Sequence, residues 1–108
     1  MTVRLDIVGG IARIVLARPE RLNAFSDEMK DRLIEITRQL QLDDRIRAVL
    51  LCAEGRAFCA GGDIDTMGAA DVVATRARIQ QAHRAILGLA NLDKPVVAAV
   101  RGPALGVG

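Results

Sequence analysis

Two glycine-rich segments hold the residues of this chain that are best suited to chemistry. The first, "EGRAFCAGGDI", spans residues 54–64, and the second, "RGPALGVG", spans residues 101–108. A glycine has no β-carbon, so another group can approach its peptide N–H directly. Two such turns could aim two N–H donors at one oxygen atom, an arrangement that stabilises an oxygen gaining negative charge during a reaction. The residue types therefore point to a main-chain oxyanion site.

The glycines have three other interpretations: tight turns without a ligand, a phosphate-binding loop and a dinucleotide site. Glycines also permit tight turns between a strand and a helix without any ligand, and this interpretation stays open. A phosphate-binding P-loop requires Lys-Ser or Lys-Thr after the glycines, and neither dipeptide follows here. The spacing of Gly102, Gly106 and Gly108 does not match the G-x-G-x-x-G fingerprint of dinucleotide-binding proteins, so a dinucleotide site is a weak match.

The two cysteines and the single histidine do not indicate a metal site or a disulfide framework. Cys52, Cys59 and His83 are too few to complete either. No basic partner that would activate a cysteine nucleophile is evident, so we expect both thiols to pack. The opening "MTVRLDIVGG" has no apolar signal core, and no long hydrophobic span follows. We therefore predict a cytoplasmic protein without a metal and without membrane association.

The composition is that of one folded globular unit. The chain has 108 residues, of which 51% are hydrophobic and 26% charged. Its 15 basic residues are interleaved with 13 acidic ones, for a net charge of +2, so no polyanion-binding surface is indicated. With two aromatic rings in all, a stacking platform for bases is also absent, and we expect no nucleic-acid partner.

The elements that would position the glycine segments begin with a hairpin and a helix. "VRLDIV" and "IARIVLA" alternate apolar and polar residues around Gly9-Gly10, a pattern that predicts a β-hairpin. After the loop "ERLNAF", Ser26 is a good N-cap for a helix from Asp27 to about Leu42. One face of that helix carries an apolar stripe of Met29, Leu33, Ile36 and Leu40.

Two continuous apolar runs, residues 48–53 and 96–100, predict strands that are covered on both faces. Between them, residues 70–90 predict a second helix, whose stripe of Ile79, Ala82, Ile86 and Leu89 should face a core. Alternating strands and helices indicate an α/β fold with parallel strands. Ligands in such folds bind beyond the carboxyl ends of the strands, where both glycine segments lie.

Three segments, "RPERLNAFS", "EGRAFCAGGDI" and "KPVVAAVRGPALGVG", resemble the amino-terminal part of the crotonase family, the enoyl-CoA hydratases and isomerases, in order and spacing. The resemblance covers essentially the whole chain. It implies a crotonase-like spiral of ββα units, here the amino-terminal portion with a β-hairpin followed by βαβ units. Residues 1–108 would be the first part of such a domain, ending after the second glycine turn.

The resemblance also implies an active site. Family members bind an acyl-CoA thioester, whose carbonyl oxygen would lie between the backbone N–H groups of Gly62 and Val107. Further implied substrate contacts are Arg21, Leu22, Ala60, Gly61, Asp63 and Ile64. No cofactor is implied beyond the coenzyme A of the substrate itself, and the implied assembly is a homotrimer or hexamer. Many relatives have glycine at the position of Val107, so its backbone must suit a β-branched residue.

Several roles stay undecided at this point. The Asp63 carboxylate could act as a general base, although capping of local N–H groups fits its place after the glycines better. Asp65 and Asp71 are weaker candidates. Arg21 could pair with a CoA phosphate or simply be solvated.

The hydratases of the family place two acid/base glutamates downstream of the second turn, so the resemblance implies that the 108 residues alone are inactive. Hydratase, isomerase, dehalogenase and hydrolase activities share the oxyanion arrangement, and the reaction stays open. The alternative function is a non-catalytic acyl-CoA-binding or assembly module of the same fold.

Overall fold

A hairpin followed by two parallel strands forms the sheet of this chain. The computed structural model describes residues 1–63 and 71–108. The elements are β1 (Val3–Val8), β2 (Ile11–Leu16), α1 (Asp27–Gln41), β3 (Ala48–Ala53), α2 (Val72–Ala90) and β4 (Val96–Ala98). The strand order is β1-β2-β3-β4, with β1 antiparallel to β2 and the other neighbours parallel. The predicted α/β fold, a hairpin followed by βαβ units, is confirmed.

The hairpin turn explains the paired glycines between β1 and β2. Gly9 and Gly10 have φ values of +56° and +85°. A two-residue turn that matches the twist of the strands needs positive φ at both positions, which glycine adopts without strain. This turn fixes the register that pairs Val8 with Ile11 and Val3 with Leu16.

Helix α1 contributes one face of the apolar core. Ser26 caps it as predicted, because its Oγ accepts a hydrogen bond from the Met29 amide at 3.3 Å. The four stripe residues are 0–3% exposed and pack in one cluster with residues of β1, β2 and β3. Each buried aliphatic side chain of this kind contributes roughly 1.5–3 kcal/mol. The stripe predicted from the spacing is therefore confirmed.

The two apolar strands are less covered than their sequences predict. In β3 only Val49 is fully buried, and the rest of the strand is half-buried. In β4, Val96 and Val97 are 37% and 60% exposed. β4 lies at the edge of the sheet, and no helix of the described ranges shields these side chains. The prediction of a strand covered on both faces is therefore wrong for β4 and only partly right for β3.

Helix α2 packs on α1 through small residues. Its N-cap is Asp71, whose carboxylate accepts a hydrogen bond from the Ala74 amide at 2.7 Å. Ala85 is fully buried, and a β-carbon added at Gly88 would lie 2.6 Å from the Thr37 hydroxyl oxygen. The two helices therefore approach closely where their side chains are smallest.

The apolar stripe predicted for α2 is only half right. Ala82 and Leu89 pack against the core, whereas Ile79 and Ile86 are 53% and 38% exposed. The helix touches α1 along a narrow face, so Ile79 stays more than half exposed and Ile86 stays partly exposed in the described part of the chain. The predicted start near Ala70 lies outside those residues. No helix in the described ranges is long and apolar enough to cross a bilayer.

Candidate functional site

A short ladder ties the loop after β2 to the first glycine segment. The Ala60 amide donates to the Leu22 carbonyl at 3.0 Å, and the Phe25 amide donates to the Gly61 carbonyl at 2.7 Å. One step further, the Asp63 amide donates to the Phe25 carbonyl at 3.3 Å. The two segments that carry the implied substrate contacts therefore lie side by side.

Asn23 stabilises this loop through hydrogen bonds of its side chain. Its side chain is fully buried, and its Oδ1 accepts a hydrogen bond from the Arg18 amide at 2.8 Å. Its Nδ2 donates to the carbonyl oxygens of Glu54 at 2.8 Å and Ala57 at 2.9 Å. The residue has φ +54°, a left-handed conformation that asparagine tolerates better than most residues. Asn23 thus satisfies three main-chain groups at once.

The two glycine segments contact each other main chain to main chain. The Cys59 amide donates to the Pro103 carbonyl at 3.2 Å, and the Leu105 amide donates to the Cys59 carbonyl at 3.0 Å. A β-carbon added at Gly61 would lie 3.2 Å from the Leu105 carbonyl oxygen, and one added at Gly106 would lie 3.7 Å from the Gly61 α-carbon. A side chain at Gly61 would crowd the Leu105 carbonyl, whereas one at Gly106 would make only ordinary contact. Both glycines have positive φ, +104° and +57°, which disfavours a side chain at either position.

Several amides where the two turns meet have no acceptor in the described part of the chain. The amides of Gly62 and Val107 donate to no oxygen of the described residues, and the same holds for Gly61 and Gly106. The chain has no cis peptide in those ranges. Because a trans peptide points its C=O and N–H in opposite directions, and the Gly61 carbonyl faces Phe25, the Gly62 N–H points away from Phe25.

Val107 does not have positive φ, so its backbone suits a β-branched side chain. This meets the condition that the sequence set for a valine at a position where many relatives have glycine.

An open hollow of about 630 Å³ gathers five of the predicted site residues. These are Arg21, Leu22, Ala60, Gly62 and Asp63. Arg56, which the sequence analysis did not single out, lines the same hollow. The lining holds two arginines, whose guanidinium groups can bind a phosphate, and two carboxylates, Glu20 and Asp63, of which Asp63 is engaged by Arg18.

Val107 does not line that hollow. It borders a small apolar hollow of about 40 Å³, together with Phe25, Phe58 and Ile86. Gly61 lies where the two turns touch. The structure therefore places the two proposed donors on different hollows of neighbouring segments. The predicted contact Ile64 and the weaker candidate Asp65 lie outside the described residues.

The Asp63 carboxylate is paired with arginine. It is 2% exposed, and its Oδ2 accepts a hydrogen bond from Arg18 Nη1 at 2.7 Å. Its Oδ1 lies 3.8 Å from Arg21 Nη2. Capping of the amides that follow Asp63 would involve residues outside the described ranges. No local sequence pattern indicates this partner, since Arg18 precedes Asp63 by 45 residues.

Cys59 is a packed thiol rather than an activated one. Burial raises the pKa of the Cys59 thiol, because a thiolate there would lose its hydration. Its Sγ lies 3.9 Å from the Gly61 carbonyl oxygen. Cys52 is half-buried in β3, and His83 is exposed on α2. Among the described residues no basic side chain bonds the Cys59 sulfur, as an activated nucleophile would require.

Comparison with known proteins gives this arrangement a family. The enoyl-CoA hydratase/isomerase family model matches residues 6–108. The 1,2-epoxyphenylacetyl-CoA isomerase of Escherichia coli K12 is 42% identical over 105 residues, which cover 92% of this chain and 39% of that protein. The 4-chlorobenzoyl coenzyme A dehalogenase-1 of an Arthrobacter species is 34% identical over 110 residues, which cover 98% of this chain and 40% of that protein.

Solved structures agree with these relatives. An enoyl-CoA hydratase from Bacillus anthracis superposes with a TM-score of 0.94 at 26% identity, over 100% of this chain and 43% of the other. An enoyl-CoA hydratase/isomerase from Xanthobacter autotrophicus Py2 superposes with a TM-score of 0.92 at 33% identity, over 99% of this chain and 41% of the other. This chain spans about 40% of the length of the relatives it matches. By its motifs, its fold and these matches, the chain belongs to the enoyl-CoA hydratase/isomerase, or crotonase, family.

Proposed function

We propose that this chain forms the thioester-binding part of an enzyme that acts on acyl-CoA substrates. In this proposal the N–H groups of Gly62 and Val107 donate to the thioester carbonyl oxygen. The observation that carries it is the pair of amides that have no acceptor among residues 1–63 and 71–108, located in two glycine turns that pack main chain against main chain. Donors that are already oriented need no reorganisation when charge develops on the oxygen.

The two hollows suit the two halves of the substrate. The open hollow beside Gly62 carries Arg21 and Arg56, whose guanidinium groups match the phosphates of coenzyme A. The apolar hollow beside Val107 is lined by hydrophobic side chains such as Phe58 and matches the start of an acyl chain. The thioester carbonyl would then lie between the hollows, at the contact of the two turns.

This arrangement would stabilise an enolate formed by proton removal or by addition next to the thioester. Each well-aimed donor contributes roughly 2.7–4 kcal/mol to the transition state. Because Asp63 is engaged with Arg18, we assign proton transfer to residues of the complete protein outside these 108. The same remainder would cover the exposed apolar side chains Val96 and Val97 of β4. A cytoplasmic location and a trimeric or hexameric assembly belong to this proposal.

Two substitutions at one position test the proposal. In the complete protein, Gly62→Pro removes the donor N–H, whereas Gly62→Ala keeps it and serves as the matched control. We expect Gly62→Pro to lower kcat for an acyl-CoA substrate by about 10²–10³. The alanine variant should stay within about threefold of the wild type, because its donor is intact. Turnover by the proline variant within threefold of the alanine variant would contradict the assignment.

The alternative, a non-catalytic acyl-CoA-binding or assembly module, predicts a different result for the complete protein. Such a module binds acyl-CoA but turns over neither enoyl-CoA nor another thioester of the family. Turnover of an acyl-CoA thioester above the uncatalysed rate, measured for hydration, isomerisation, dehalogenation and hydrolysis, therefore decides between the two functions.

A further inference from the structure

The residue next to the proposed donor takes part in a buried ion pair. Asp63 follows Gly62 directly and is 2% exposed, and its partner Arg18 is 18% exposed. In the described ranges, every other ion pair has a partner at least 37% exposed. A buried carboxylate requires a closely placed cation to offset its lost hydration, so this pair is tightly constrained in geometry.

Arg18 holds the loop from both sides. The Nη1 atom that donates to Asp63 also donates to the Ala24 carbonyl at 3.2 Å. The backbone amide of Arg18 donates to Asn23 Oδ1 at 2.8 Å. The ion pair therefore links the first glycine segment to a loop that is itself closed by hydrogen bonds.

The Gly61–Gly62 peptide is held on both flanks. On one side the Gly61 carbonyl accepts from the Phe25 amide at 2.7 Å, and on the other the Asp63 amide donates to the Phe25 carbonyl at 3.3 Å. The latter contact is the longer of the two. The carboxylate of the same Asp63 is fastened by Arg18, so the ion pair supports the weaker flank.

We propose that Asp63 is a positioning residue, which acts through Arg18 to fix the Gly61–Gly62 peptide and so keep the Gly62 N–H aimed at the thioester oxygen. This inference rests on the proposed function of Gly62. It gives the Asp63 carboxylate no direct part in proton transfer. Loosening the pair would let the peptide rotate, and a misaligned donor loses much of its effect on the transition state.

Two variants of the complete protein test this role by steady-state kinetics with an acyl-CoA substrate. Asp63→Asn removes the charge, and Arg18→Gln removes the partner while keeping the carboxylate. We expect each to lower kcat about tenfold or more and to change KM by less than about threefold. The double variant should be no slower than the slower single variant, since both act through one pair. Asp6→Asn, which breaks the exposed Asp6–Arg13 pair, is the matched control and should leave kcat unchanged.

The outcomes separate this inference from the function on which it rests. A kcat within about twofold of wild type in folded Asp63→Asn and Arg18→Gln would overturn the positioning role. If Gly62→Pro still abolishes turnover in that case, the proposed function stands. If Gly62→Pro leaves turnover intact, both ideas fail. If Asp63→Asn does not fold, Arg18→Gln alone tests the role. A crystal structure of Arg18→Gln that keeps the Phe25–Gly61 hydrogen bond, together with full turnover, would then refute the positioning role.

Discussion

Replacing Asn23 by alanine should destabilise the protein more than its size suggests. The substitution leaves three main-chain groups without their partner: the Arg18 amide and the carbonyls of Glu54 and Ala57. The contact with Ala57 is buried, and an unsatisfied buried group costs about 1–3 kcal/mol. The other two are partly buried, so each costs about 0.5–1.5 kcal/mol.

The left-handed backbone at this position adds to the loss. Alanine at the φ of +54° costs about 1 kcal/mol more than asparagine, which can visit this conformation. The sum is about 3–7 kcal/mol, a large share of the 5–15 kcal/mol by which proteins are stable. Equilibrium urea unfolding measures the free energy of unfolding of the variant against wild type.

Gln41→Ala is the matched control for Asn23→Ala. Gln41 also uses its amide as donor and acceptor, to the Asp93 carboxylate at 2.7 Å and the Asp93 amide at 3.0 Å, but these contacts are exposed. Water replaces them, so we expect a loss of about 1 kcal/mol or less. If Asn23→Ala costs no more than Gln41→Ala, the account of the buried asparagine is refuted.

Three further predictions concern the packing and the charges of the fold. A β-carbon at Gly102 would lie 2.0 Å from the Arg56 carbonyl oxygen, whereas one at Gly9 would meet no atom within 4 Å. Gly102→Ala should therefore lower the free energy of unfolding by about 1–3 kcal/mol more than Gly9→Ala. Equal losses would contradict the contact between the two glycine segments. Hydrogen bonds from the Arg45 side chain lower the pKa of Asp43 from 3.8 to about 2, so the pair stabilises the fold above about pH 4 and loses this effect as the pH falls through 2. An NMR titration of Asp43 should show that midpoint and return toward 3.8 in Arg45→Ala; a midpoint near 3.8 in the wild type would disprove the pairing. Cys59 should resist alkylation at pH 8 in the folded protein and react after denaturation, because burial raises its pKa; fast native labelling would show that the thiol is open.

Periodic patterns predicted the elements whose partners lie nearby in the fold. The stripe of α1 gave the correct buried face because a step of three and four residues places side chains on one side of any helix. Gly9 and Gly10 predicted the hairpin because positive φ is needed there. The parallel pairing of β3 with its neighbours followed from the intervening helices.

Features that depend on distant segments were not predictable in the same way. Val97 and Ile79 are as apolar as core residues, but their sequence does not say which element covers them, and each is more than half exposed in the described part of the chain. The pair Arg18–Asp63 joins residues 45 apart, and no local pattern specifies such a contact. The sequence analysis placed Asn23 only in a loop. Its side chain bonds three main-chain groups that become neighbours only in the folded chain, so its role could not be predicted.

The site was predictable to the extent that it consists of backbone. The glycine turns predicted a main-chain donor site, and the family resemblance implied Arg21, Leu22, Ala60, Gly62 and Asp63, which line one hollow. They did not foresee that Val107 borders a separate apolar hollow. The location of a hollow depends on side chains from several elements, and residue spacing carries no information about that volume.

The carbonyl stretching frequency of a bound thioester tests the central claim most directly. In the complete protein, an acyl-CoA analogue with a ¹³C-labelled thioester carbonyl should show a lower frequency when bound than in water, because two N–H donors polarise the bond. Gly62→Ala should keep this shift and Gly62→Pro should lose a large part of it. An unshifted carbonyl in the wild-type complex, or the same shift in both variants, would show that the amides of the two glycine turns do not hold the oxygen.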